Sequence, residues 1–305
     1  MKHLALGSTT ITAKTLLKGA TVLLSLSPLA LSGQTLAGVI DVHVHADPDS
    51  KPRTMDVIDV ARMAKAQGMR GIVFKNHNEP TAAVAYLVRK EVPGLEVFGS
   101  ITLNFTVGGM NAAAVEEMAS VKGGWGRLVC MPTDDSEYWV ARSKKKRPFI
   151  RIIVNGQITP DVKQVLAVIA KRKLTLATGH ISPEESLILI REARRLGIEH
   201  IVVDQSFTVN MTVPQMQEAA KLGAFIEFVW DAVYDKRFTA EAYAAAIRAI
   251  GPEHCIMSTD LAQPGYPQPP DGFENYIKLM HQQGFKQSEI DQMTRKNPAT
   301  LLGLM

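Results

Sequence analysis

From residue 39 onward this 305-residue chain repeats one unit eight times, a short β-branched run followed by a helical stretch. Strands are predicted over residues 39–44, 71–75, 95–103, 127–131, 174–178, 200–203, 224–229 and 254–258. Helices are predicted over 54–67, 81–90, 111–120, 160–172, 183–196, 213–222 and 239–250, with two more, 272–283 and 287–295, closing the chain. Strands that alternate with helices pair in parallel through right-handed crossovers. Eight of them suit an α/β fold of the closed (β/α)₈ TIM-like barrel type. An open doubly wound sheet would want a glycine-rich phosphate loop after its first strand. The first strand here carries Asp41-Val42-His43-Val44-His45, with no glycine. An irregular insert, 132–159, follows the fourth strand and contains a small hairpin turning at Asn155-Gly156.

Composition narrows the function. Hydrophobic residues make up 46% of the chain, enough for a full core in one large domain over residues 39–305. The net charge of +4 is a weak bias. Its densest cluster, Lys144-Lys145-Lys146-Arg147 with Arg142 nearby, lacks interleaved aromatics and reads as a solvated loop rather than a nucleic-acid surface. Cys130 and Cys255 lie in apolar runs and read as buried thiols. Residues 1–38 read as a signal peptide or N-terminal extension: Lys2, Lys14 and Lys18, then an apolar run from Ala20 to Leu31, then small residues. As a signal it implies an exported or periplasmic protein, and otherwise a cytoplasmic one. The run is too short to serve as a stable membrane anchor.

Barrel sites stand at the C-terminal ends of the strands. The first strand ends in His43 and His45, which point the same way because side chains two apart share a face. Lys75 and His77 end the second strand in the same spacing, His180 follows the fifth, and Asp260 follows the eighth. Four of the eight histidines thus fall on one rim, while His3, His200, His254 and His281 scatter. Neutral imidazoles with a carboxylate suit zinc, and less selectively iron, manganese or nickel. A divalent ion lowers the pKa of its water to about 7. Asp260 is placed to take that proton as general base and to return it to the leaving group.

These residues resemble the amidohydrolase superfamily of metal-dependent hydrolases. Asp41–His45 is similar to its first-strand His-x-His motif, His180 to its fifth-strand histidine and Asp260 to its eighth-strand aspartate. The ending Asn297-Pro298-Ala299-Thr300-Leu301-Leu302-Gly303 is similar to its final helix. More closely, Phe74-Lys75-Asn76-His77, residues 86–98, Gly108-Gly109-Met110-Asn111 and Ala177-Thr178-Gly179-His180-Ile181-Ser182-Pro183-Glu184-Glu185 resemble a little-characterised amidohydrolase-like family. Two departures stand out. The fourth strand ends Cys130-Met131-Pro132-Thr133, without the superfamily's bridging lysine, for which Lys75, carbamylated, is a substitute. The sixth strand is followed by Asp204-Gln205, with Gln205 where a histidine is expected. The resemblance implies one or two divalent ions, zinc foremost. One ion held by His43, His45, His180 and Asp260 is the expected arrangement, with Lys75 and His77 as further candidates.

The partner is expected to be a small-molecule substrate, and a homo-oligomer is compatible with the sequence. Asn104, Gln205 and Arg53 are candidate substrate contacts. Arg151 is a weaker one, and Tyr138 and Trp139 are candidates for a lid or pocket wall. The expected reaction is hydrolysis of a C–N or C–O bond in an amide, cyclic amide, lactone or ester. Phosphoester hydrolysis, nonoxidative decarboxylation and a catalytically silent small-molecule-binding barrel remain open alternatives.

Overall fold

A computed structural model of the protein describes residues 36–304. The expectation for residues 1–38 lies almost wholly outside them. The eight predicted strands all form: β1 (Ile40–Val44), β2 (Gly71–Phe74), β3 (Glu96–Thr102), β4 (Gly126–Cys130), β5 (Thr175–Ala177), β6 (Ile201–Val203), β7 (Phe225–Val229) and β8 (Cys255–Ser258). They pair in parallel in chain order, with helices between them. Nearly every strand residue is buried on both faces, as a helix-covered parallel sheet requires. This is the TIM-barrel architecture the alternation predicts. No helix among the described residues is long and apolar enough to cross a membrane.

The helices follow their local signals. Helix Pro183–Arg195 begins with a capping box between Ser182 and Glu185, carries acidic Glu184 and Glu185 in its first turn, and ends in Arg194 and Arg195. Its stripe of Leu187, Ile190 and Ala193 packs inward.

β1 and β8 do not form a continuous ladder, so the barrel closes by contacts just beyond the strand ends. Asp260 N donates to His43 O at 2.8 Å and His45 N donates to Leu261 O at 3.1 Å. Deeper in the seam, the Asp41 carboxylate accepts from Thr259 N at 3.1 Å and from Thr259 Oγ1 at 2.6 Å. The backbone that closes the barrel is therefore the backbone that carries His43, His45 and Asp260.

The insert after β4 is more ordered than the sequence suggests. Its hairpin, Ile153–Val154 with Gln157–Ile158, turns at Asn155 and Gly156, both at positive φ. The insert also contains a helix, Glu137–Ser143, that the irregular reading misses. Seven residues carry too little periodicity to reveal it. A second short helix, Trp230–Tyr234, follows β7 directly. The predicted helix 287–295 is a helix Gln287–Asp291 followed by a π turn Gln292–Lys296, and Asn297–Leu301 adds a last helix. Asn297 Nδ2 donates to Pro252 O and Cys255 O, docking that end against the base of β8.

Candidate metal centre

β1 carries His43 and His45 toward the C-terminal rim of the barrel, and both are buried, as is Asp41 in the seam beneath them. Asp260 follows β8 in a left-handed conformation, φ 56°. This aims its carboxylate across the seam: Oδ1 lies 2.8 Å from His45 Nε2 and 3.4 Å from His43 Nε2. The ligand atoms of His43, His45 and Asp260 all lie within 4.8 Å of one another. Two imidazoles and a carboxylate oxygen, buried and convergent, form a donor set that fits a divalent ion. His43 Nε2 has no hydrogen-bond partner of its own, as a nitrogen reserved for a metal would not.

A second layer orients these groups. His43 Nδ1 lies 3.2 Å from Glu227 Oε1, and Glu227 also accepts from Ser258 Oγ at 2.8 Å and from Gln205 N at 3.0 Å. Engaging Nδ1 leaves Nε2 of His43 facing Asp260. Sequence reasoning missed Glu227. The available signal is a lone carboxylate inside the apolar run Phe225–Val229, where a charge is costly unless it has a task. Gln205, also left-handed at φ 43°, donates from Nε2 to Asp260 Oδ2.

Protonation follows from burial and neighbouring charge. Burial depresses His43, but the Asp260 and Glu227 carboxylates outweigh it and raise its pKa to about 9. Burial dominates at His45, lowering it to about 4 although the same Asp260 touches it. Burial pushes Glu227 up, but the field of His43 and its hydrogen bond prevail and hold it at about 2. Asp41 stays at about 7, because burial outweighs its bonds to Thr259 and His43.

The other predicted residues take distinct places. Lys75 Nζ pairs with Asp204 Oδ2 at 2.7 Å and lies 3.4 Å from His43 Nδ1. Asp204 also accepts from Cys130 Sγ and Gly179 N. Lys75 is thus an ion-pair partner within this arrangement rather than a member of the three-residue cluster. His180 stands outside the cluster too. Its ring faces Trp139 at 4.6 Å and His77 at 5.9 Å, and its buried Nδ1 has no hydrogen-bond partner. Gly179 makes this approach possible: it sits at φ 65°, and a Cβ there would come within 2.3 Å of Met131 O. His77 stacks on His45 at 5.0 Å, its Nδ1 bonded to Thr133 Oγ1.

Asn104 is fully engaged by the protein. Its Nδ2 donates to His77 O and Thr133 Oγ1, and its Oδ1 accepts from Thr133 N and Asp135 N. It fixes the loops that carry His77 and the insert. The Arg53 side chain is buried against Asp49 beside His45 and His77, and its charge helps hold both imidazoles neutral. Arg151 pairs on the surface with Glu137. Trp139 lies over His180, whereas the Tyr138 hydroxyl is spent on Val209 O.

Among solved structures, three illustrate the likeness. The chain superposes on an organophosphorus hydrolase from Deinococcus radiodurans with a TM-score of 0.60 at 13% identity, covering 89% of this chain and 94% of that one. A phosphotriesterase homology protein from Escherichia coli, complexed with phosphate in its active site, gives a TM-score of 0.58 at 15% identity, covering 87% and 98%. A protein described as a 2-pyrone-4,6-dicarboxylic acid hydrolase from Pseudomonas putida gives 0.57 at 14% identity, covering 88% and 98%. The likeness is one of fold: this chain shares its parallel eight-stranded barrel with these three proteins. No curated protein matches the sequence. Residues 38–227 match the profile of a family of unknown function, DUF6282.

Proposed function

The chain belongs to the DUF6282 family, and on that premise we propose that this member is a metal-dependent hydrolase acting on a C–N or C–O bond of a small molecule. The observation that carries the reading is the convergence of His43 Nε2, His45 Nε2 and Asp260 Oδ1 at a buried rim position of a barrel shared with hydrolases. In this reading His43, His45 and Asp260 hold a divalent ion, and the nitrogen-rich set favours zinc. When bound, such an ion supplies Lewis acidity and lowers the pKa of a water to about 7.

The chain's own residues supply the rest. Glu227 fixes His43 through Nδ1, and Gln205 holds Asp260 Oδ2. Asp260 is the catalytic residue: its Oδ2 takes the proton of the attacking water and returns it to the leaving nitrogen or oxygen. Arg53 is the candidate partner for a negative group on the substrate. Trp139, held over His180, forms a wall of the pocket. His180 and His77 line the same rim and contact the substrate. Gln205 contacts it beside Asp260, and Asn104 acts indirectly, through the loops it braces.

A phosphoester substrate is the second reading, favoured by the resemblance in fold to a protein holding phosphate in its active site. A panel of lactones, aryl esters, cyclic amides and phosphotriesters separates the two. The expected result is turnover of a lactone, ester or cyclic amide that vanishes with chelator and in His43→Ala/His45→Ala. Turnover confined to phosphotriesters transfers the assignment to the second reading. Turnover that survives both chelator and the double substitution refutes the metal-dependent mechanism.

A further inference from the structure

We infer that the Lys75 ammonium is a resident cation of this centre and that, with Asp204, it limits the site to one metal ion. The inference rests on the metal-dependent reading above and deepens it. Lys75 is buried at the end of β2, with Nζ 2.7 Å from Asp204 Oδ2 and 3.4 Å from the Nδ1 of His43. A fixed positive charge therefore stands against one of the three ligating residues.

The donors a second ion would need are already engaged. Asp204 Oδ2 accepts from Lys75, Cys130 Sγ and Gly179 N. Glu227 accepts from Ser258 through Oε1 and from Gln205 N through Oε2, and it holds His43. Asp260 Oδ2 accepts from the Gln205 amide. Among the described residues, no other set of three His, Cys, Asp or Glu side chains brings its ligand atoms so close together.

The charges agree with the donor count. Around the rim five acidic groups each have a cation: Asp49 has Arg53, Asp134 has Lys51, Asp135 has Arg147, Asp231 has Arg237 and Asp204 has Lys75. Glu227 and Asp260 are buried with histidine as their only ionisable partner. The two carboxylates that touch the histidine pair match one divalent ion, and a second ion would add uncompensated positive charge to a desolvated site. Carbamylation of Lys75 would work the other way. It joins carbon dioxide to Nζ with loss of two protons from the ammonium and turns a cation into an anion beside Asp204, so the ion pair disfavours it.

The test is metal stoichiometry on the full chain, loaded with excess zinc or manganese, desalted and read by mass spectrometry. One equivalent per chain is expected. Two equivalents overturn this inference while leaving the hydrolase reading intact, whereas none overturns that reading and this inference with it. Protein equilibrated with ¹³C-bicarbonate is expected to show no carbamate resonance, and one assigned to Lys75 overturns the resident-cation role. Lys75→Gln, which keeps a donor to Asp204, is expected to bind the first ion about tenfold more tightly, since a like charge beside it is gone. Unchanged or weaker binding in folded Lys75→Gln protein counts against the role. The two wild-type measurements stand if that variant fails to fold.

Discussion

The Gln205 amide donates to Asp260 Oδ2, and both residues sit in the left-handed region, at φ 43° and φ 56°. Left-handed backbone is costly for residues other than glycine, and such strain gathers where function demands it. The bond leaves Asp260 Oδ1 facing the two imidazoles. Gln205→Gly would relieve the backbone while deleting the bond. The expected outcome is a melting temperature equal to or above wild type, with metal affinity or activity down by about 10–100-fold, as for lost second-layer partners. Calorimetry and metal titration check it, and a variant that keeps wild-type metal affinity and activity excludes the orienting role.

Asp49 holds Arg53, with both side chains almost wholly buried. Burial works against the Asp49 carboxylate, but the Lys51 N–H and Arg53 outweigh it and hold it below the usual range. A depressed carboxylate contributes stability that is present above its unfolded pKa, about 4, and is lost as pH falls through the folded value. Asp49→Asn should therefore cost about 3 kcal/mol at neutral pH by leaving a buried guanidinium unpaired. The gap to wild type should close in strong acid. Melting curves from pH 7 down to pH 2 test this, and a gap independent of pH would rule out the ion pair as its source.

The Ser136 hydroxyl donates to His180 O at 2.6 Å and accepts from Trp139 N at 3.1 Å, capping the insert helix while tying it to the loop after β5. Ser136→Ala should lose about 1–2 kcal/mol and free the insert. Limited proteolysis should then cut within residues 137–150 faster than in wild type. Equal cutting rates would mean that other contacts hold the insert.

Burial pushes both thiols up, Cys130 well above its ordinary value and Cys255 likewise. Native protein should resist a disulfide exchange reagent at pH 8 and show both thiols only after denaturation. Rapid reaction of folded protein would contradict the buried placement of these residues.

Much of this was open to reading along the chain. Strand and helix alternation is written in short-range periodicity, and the eight strand positions emerged within a residue or two. The two-residue spacing of His43 and His45 places both imidazoles on one face under any parallel-strand arrangement. The Asn155-Gly156 turn was legible for the same reason, since positive φ at both positions selects those residue types.

Which groups meet was decided only by the tertiary structure. His43 and Glu227 are 184 positions apart, and Lys75 and Asp204 are 129 apart. Barrel closure and strand register bring these pairs together, and neither leaves a periodic trace in the sequence. Nothing along the chain announces that Lys75 stands beside Asp204, or that the Asn104 amide ties Thr133 to the loop carrying His77. By itself the sequence determined the barrel and its histidine-bearing rim, because local sterics and side-chain alternation act over a few residues. The pairing of charges inside that rim was decided by the closed fold, because desolvated charges must find partners wherever the strands bring them within reach.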